Sequence, residues 1–188
     1  MALLFTDSFD HFATANLTQK WTTAPITPAI VDGAGRCGGK GAYFSTFQAL
    51  RKGLAGGTNR GTVGFAFKLA TAVFAMDIFG PFRSGGSDTR QWYMDRSTDG
   101  SIGVYNGGGT EIGRSLPDVV RQGVWTYIEA QWLCSATVGT VTIRVNGDPN
   151  PVYAGTGLNT KYAGHVDAQW TGIEIGGQAN SSVTGYYD

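Results

Sequence analysis

The sequence predicts an all-β chain built as two antiparallel sheets packed into a sandwich, and three observations carry that prediction. Residues 124–147 read as two strands with strict alternation. Thr126, Ile128, Ala130 and Trp132 fall on one face and Tyr127, Glu129, Gln131 and Leu133 on the other, and Val141, Ile143 and Val145 repeat the pattern across the loop. A period of two with one apolar set marks a sheet that is packed on one side. Glycine is the second observation: 29 of 188 residues, too many for a helical protein and suited to short strands joined by tight turns. The third is residues 91–115, where three strand patterns are separated by turn signals at the spacing of a sandwich meander.

Taken in order, residues 3–10 read as an opening strand that leaves into a loop. Residues 13–21 are the best helical stretch, a turn or two long, with Thr14 or Asn16 as candidate caps. Residues 29–31 form a short strand. Residues 33–41 hold five glycines in nine positions. A phosphate-binding loop needs GxxxxGK followed by Ser or Thr and then a helix. Here Lys40 is followed by Gly41 and a strand pattern, so this stretch reads as a hairpin connection.

Strand patterns follow at 42–44, 47–50, 62–69 and 73–79, with 53–61 and 81–88 as loops. Val63, Phe65, Phe67 and Leu69 share one face. The run 70–79 is short enough to suit a buried helix as well, but its flanking strands and aromatic content favour a strand. The meander occupies 91–96, 101–106 and 111–115, and 117–123 crosses over to the long hairpin. Asn146-Gly147 supplies the positive φ angles of a tight turn. Pro149 and Pro151 predict an edge beyond it. Residues 152–154 read as a strand, 155–164 as loop, 170–175 as a strand with Trp170, Gly172 and Glu174 on one face, and 183–188 as the start of a last strand. No internal repeat or linker divides the chain, so residues 1–188 read as one domain.

Composition excludes several classes of function. Fourteen basic residues balance fourteen acidic ones, and neither sign forms a run, which argues against a nucleic-acid partner. No apolar stretch is long enough for a membrane-spanning helix, and the first residues lack the basic region of a secretory signal. Cys37 and Cys134 read as two free thiols.

The element W-x-x-I-E followed by G-x-V-x-I-x-V-N-G is present as Trp125, Ile128, Glu129, then Gly139, Val141, Ile143, Val145, Asn146 and Gly147. It resembles the central hairpin of the concanavalin A-like lectin/glucanase superfamily, the laminin G-like jelly roll. The phrase SFDHFATANLTQKW, residues 8–21, resembles the opening of small proteins of tailed-phage virions that carry the same sandwich, and Gly185-Tyr186-Tyr187-Asp188 resembles their closing phrase. The resemblance implies an antiparallel jelly-roll sandwich that is part of a virion and is assembled in the host cytoplasm.

The glucanase branch places its carboxylates two and four residues apart on one strand, to flank the scissile bond. Glu111, Glu129 and Glu174 are the only glutamates, and none has an acidic residue at those spacings. Glu129 is expected at the sheet surface or beside a cross-strand arginine. His11 and His165 do not complete a nucleophile constellation or a zinc site. The expectation is therefore no enzyme and no catalytic residue. No cofactor is expected, calcium being the one possible ion, with Asp7 and Asp10, or Asp95 and Asp99, as candidate oxygen ligands.

The leading expectation is a structural component of the virion, a tail or tail-tip adaptor or a head decoration protein. It would act through contacts with other virion proteins and as a homo-oligomer, using open sheet edges. The alternative is a carbohydrate-binding module for host-surface glycans. Its candidate stacking residues are Trp92, Tyr105, Trp132 and Trp170, since sugar sites combine an exposed aromatic with polar groups. Where those four aromatics lie discriminates the two readings.

Overall fold

A computed structural model describes residues 8–21, 28–45, 48–71, 75–83, 89–176 and 184–188. Among the described residues, fourteen strands fall into two antiparallel sheets. The first sheet holds β1 (Ala29–Val31), β2 (Gly41–Phe44), β4 (Arg60–Leu69), β10 (Thr126–Leu133), β11 (Gly139–Val145), β12 (Tyr153–Leu158) and β14 (Gly185–Tyr187), in the order β1-β2-β14-β4-β10-β11-β12. The second holds β3 (Ala49–Thr58), β5 (Met76–Arg83), β7 (Trp92–Arg96), β8 (Ile102–Asn106), β9 (Glu111–Arg114) and β13 (Trp170–Gly176), in the order β3-β13-β5-β7-β8-β9, with the two-residue β6 (Thr89–Arg90) on β5. Two short 3-10 helices, Phe9–His11 and Thr14–Gln19, precede the strands.

The hairpin of residues 124–147 forms as its alternation predicts. In β10, Thr126, Ile128, Ala130 and Trp132 are buried, while Glu129 lies in register with Arg144 of β11 on the other side. Asn146 and Gly147 adopt φ of 54° and 76°, and the Asp148 amide donates to the Val145 carbonyl at 3.0 Å. These are the marks of a type I′ turn. The proline-flanked β12 is an edge strand. Residues 33–41 connect β1 to β2 as a hairpin. Both cysteines are free, Cys37 exposed and Cys134 buried.

Aromatic side chains from both sheets meet in one interior. Trp132 of the first sheet lies 5.5 Å from Phe79, 5.6 Å from Trp92 and 5.3 Å from Trp170 of the second, measured between ring centroids. Its indole crosses Gly61, its register partner on β4, where a Cβ would stand 2.2 Å from Cζ2. Tyr187 ties the sheets with a polar bond: its hydroxyl donates to the Ile78 carbonyl at 2.9 Å and accepts from the Gly176 amide at 3.2 Å. Both partners are buried, so the hydroxyl meets the hydrogen-bonding demand they would otherwise carry unpaired. Phe9 and Trp21 stack at 6.2 Å and Leu17 is fully buried, so the opening phrase is anchored in the core.

Several predicted boundaries are corrected. Residues 53–58 belong to β3 and 60–61 to β4, so the chain passes between the sheets at Asn59 instead of in a broad loop. β5 continues through Pro81 to Arg83, and β12 runs to Leu158. Glycine weakens a strand but does not end one when its neighbours pair; Gly53 faces Gly172 across β3 and β13. Residues 8–10, expected in the strand-to-loop start, include a 3-10 turn, and Ala13 stands at the cap of the second one. Thr14 instead accepts the Ile30 amide at 2.9 Å. In β13 a bulge between Trp170 and Gly172 breaks the expected phase: Trp170 points into the core with Ile175, while Glu174 meets Arg51 and Arg90. The predicted opening strand at 3–5, Phe47 and residues 73–74 lie outside the described residues.

Candidate functional site

Three of the four candidate stacking aromatics are core residues. Trp92 is fully buried, and Trp132 and Trp170 are 4% and 3% exposed. Their rings contact one another across the sandwich and offer no face to a ligand. Inward positions of paired strands select large apolar side chains, and that selection is what the sequence displays at these sites. Tyr105 is different: it is half-buried, on the outward face of the second sheet.

A shallow depression of about 400 Å³ opens beside Tyr105, lined by Ala75, Asp95, Ser97, Thr98, Asp99, Tyr105 and Arg114. β7, β8 and β9 build it. Asp95 on β7 is the register partner of Gly103 on β8, and Gly103 in turn faces Arg114 on β9. A Cβ on Gly103 would lie 2.6 Å from Asp95 Oδ1 and 2.7 Å from Tyr105 Cε2, so glycine makes room for both. Between β8 and β9 the register slips by one: Tyr105 faces Glu111 and Gly103 faces Arg114. Such a bulge sets two residues against one. It puts Glu111 and Arg114 on the same face, although strict alternation would separate them.

The hydrogen bonds here are dense. Arg114 Nε donates to Glu111 Oε1 at 3.0 Å, Nη1 to Ser101 Oγ at 2.9 Å and to Ser97 Oγ, and Nη2 to Tyr105 Oη at 2.8 Å and to Glu111 Oε2. Tyr105 donates its own hydroxyl proton to Glu111 Oε2 at 3.1 Å. Asp99 Oδ1 accepts from the Ser101 amide and hydroxyl at 3.0 and 2.7 Å. The Tyr105 ring stacks on Tyr93 at 5.1 Å with 10° between planes, and the Arg90 guanidinium lies 4.4 Å from the Tyr93 centroid. Burial, then the Asp95 charge, pushes the Tyr105 phenol up to about 12, so it stays protonated at neutral pH.

A second polar cluster adjoins on the same face. Glu174 is 2% exposed and pairs with Arg51 and, at 3.6 Å, with Arg90; Arg90 also donates to Asp77 at 2.7 Å. Asp77 and Asp95 are cross-strand partners. Carboxylates absent as a pair within one strand therefore do meet between two strands. Burial pushes Asp77 up despite Arg90. Burial, then the neighbouring Asp77 charge, raises Asp95 to about 6.

The Asp95 shift sets a testable pH dependence. Its folded value lies above the ordinary 3.8, so its stabilising contribution belongs to the protonated form, is complete below about 3.8, and is lost as pH rises through about 6. Asp95→Asn removes the neutral-pH cost of the ionised form. After discounting for solvent screening, the gain is about 1 kcal/mol at pH 8, a rise of about 3 °C in Tm. Thermal melts should show the gap narrowing by pH 4.5, and an unchanged gap contradicts the assignment.

Calcium finds little support in the arrangement. Asp10 Oδ1 accepts the Lys40 amide at 2.7 Å and its Oδ2 accepts the Ser8 hydroxyl at 3.0 Å, which fastens the loop before β2. Asp7 lies outside the described residues. Asp95 and Asp99 share the depression, but among the described residues no group of three or more His, Cys, Asp or Glu side chains is placed to hold a metal ion.

Sequence reasoning named Tyr105, Asp95 and Asp99, which the structure brings together. It missed Arg114, Glu111, Asp77 and Arg90 as parts of one face. The acidic and basic residues of 111–114 are visible as an E-x-x-R phrase, but only the bulge makes them neighbours.

No protein-family model and no curated protein matches the chain. Among solved structures, the carbohydrate-binding module CBM66 from Bacillus subtilis is similar at a TM-score of 0.52 and 10% identity, over 88% of this chain and 91% of that one. The Trypanosoma rangeli sialidase in complex with sialic acid is similar at 0.51 and 12% identity, over 78% of this chain and 25% of the sialidase. The chain thus spans about a quarter of the sialidase's length. At such identities the likeness is one of fold, and that fold is an antiparallel two-sheet jelly-roll sandwich.

Proposed function

We propose that the chain is a non-catalytic carbohydrate-binding module whose site is the depression between Asp95, Asp99, Tyr105 and Arg114. The observation that carries this reading is the lining itself: a half-exposed aromatic flanked by carboxylates and hydroxyls in a shallow, open hollow. A sugar presents an apolar C–H face and a rim of hydroxyls, and such a wall matches both. The likeness to a carbohydrate-binding module supports the reading at the level of fold. A glycan array followed by calorimetry tests it. Tyr105→Ala and Asp99→Ala are expected to weaken binding at least tenfold, which is about 1.4 kcal/mol, with the far-UV spectrum unchanged. An array without binding, with and without calcium, removes the reading, as does binding that neither variant alters.

The chain's place is proposed to be a tailed-phage virion, where such a module would attach to host-surface glycans and contact other virion proteins, including further copies of itself. The specific support is the opening phrase of residues 8–21 and the closing phrase of 185–188. Mass spectrometry of purified particles tests it: particles lacking the chain contradict it.

A further inference from the structure

We infer that this depression takes uncharged sugars through their hydroxyl donors and rejects sugars bearing a carboxylate; the inference rests on the carbohydrate reading above. The reason lies in how Arg114 is used. A guanidinium has five N–H donors and no acceptor. Arg114 spends Nε on Glu111, both Nη1 protons on Ser97 and Ser101, and both Nη2 protons on Tyr105 and Glu111. No donor is left to grip a ligand carboxylate, and Glu111 already balances the charge.

The other charged side chains of the lining are Asp95 and Asp99. A carboxylate offers about four acceptor positions. Asp95 receives the Ser97 hydroxyl and a backbone bond at Gly103. Asp99 receives the Ser101 amide and hydroxyl and a bond from its own backbone. Each retains room for a further donor and has none to give when ionised. The wall therefore asks for hydroxyl protons. An anionic sugar arriving here meets two like charges with no free cation among the lining residues, and like charges brought together disfavour a wrong partner strongly.

The test uses matched ligands on the whole chain by calorimetry at pH 7.5: a neutral hexose oligomer against its uronic-acid counterpart, and lactose against sialyllactose. The neutral member of each pair is expected to bind at least tenfold tighter. The double variant Asp95→Asn with Asp99→Asn keeps acceptor oxygens and removes both charges, so it should narrow that ratio, as should raising the salt. An acidic member that binds as tightly as its neutral partner, with the binding lost in Tyr105→Ala, overturns the inference and leaves the carbohydrate reading intact. A preference for neutral sugars that the double variant does not narrow also overturns it. Absence of binding by every sugar overturns inference and reading together.

Discussion

Trp132→Ala is expected to lower the stability of the sandwich by about 4 kcal/mol, one of the two largest effects of a single substitution here. The side chain is 4% exposed and contacts Phe79, Trp92 and Trp170 of the opposite sheet. Truncation removes those contacts and leaves a cavity that rigid strands on both sides cannot close. Its indole N–H has no acceptor among the described residues, so Trp132→Phe sacrifices volume but also removes a buried unpaired donor. That variant should cost about half as much. Urea titration reads both through the shift in midpoint. A second readout isolates the contact with Gly61: Gly61→Ala should destabilise the parent strongly, because its Cβ meets the indole at 2.2 Å, and be nearly neutral in Trp132→Ala. A Trp132→Ala chain that loses less than about 1 kcal/mol contradicts the packing described.

Glu174→Gln carries the other large effect, a loss of about 3 kcal/mol. The carboxylate is almost fully buried and meets Arg51 and Arg90. Glutamine preserves the shape and removes the charge that both guanidinium groups face. Asp77 still pairs with Arg90, which places the cost at the lower end for a broken buried pair. Desolvation has already been incurred for the arginines, so the change removes a buried charge that both face and does not act as a missing surface bridge. Urea midpoints at low and at 1 M salt check this. A small effect abolished by salt would mean that the cluster behaves as a surface ion pair.

These two residues mark how far the sequence could be read. The hairpin of β10 and β11, the Asn146-Gly147 turn that follows it and the meander of β7 to β9 were legible because alternation and turn chemistry act locally. Strand ends in glycine were not: 53–58 and 155–158 look like loops, and only pairing with β13 and β11 makes them strands. Bulges were illegible for a related reason. One extra residue reverses the phase without a sequence mark, so Glu174 was assigned the face of Trp170, and Glu111 was not joined to Arg114. Tryptophan is ambiguous from composition alone, since the interior and a sugar both favour it. Trp92, Trp132 and Trp170 went to the interior. Tyr105 was named as a stacking candidate and Asp95 with Asp99 as calcium ligands, and the structure sets all three in the lining of one depression.

Strand β14 lies between β2 and β4 in the interior of its sheet, although more than a hundred residues separate it from either in sequence. During synthesis its two neighbours leave the ribosome long before it does. The nascent chain must then carry a slot with two open borders until residues 185–187 emerge and fill it. Pairing so distant in sequence is slow to form, and unfilled borders are where growing chains adhere to one another. Yield in the cell should therefore depend on chaperone capacity more than the stability of the finished sandwich suggests.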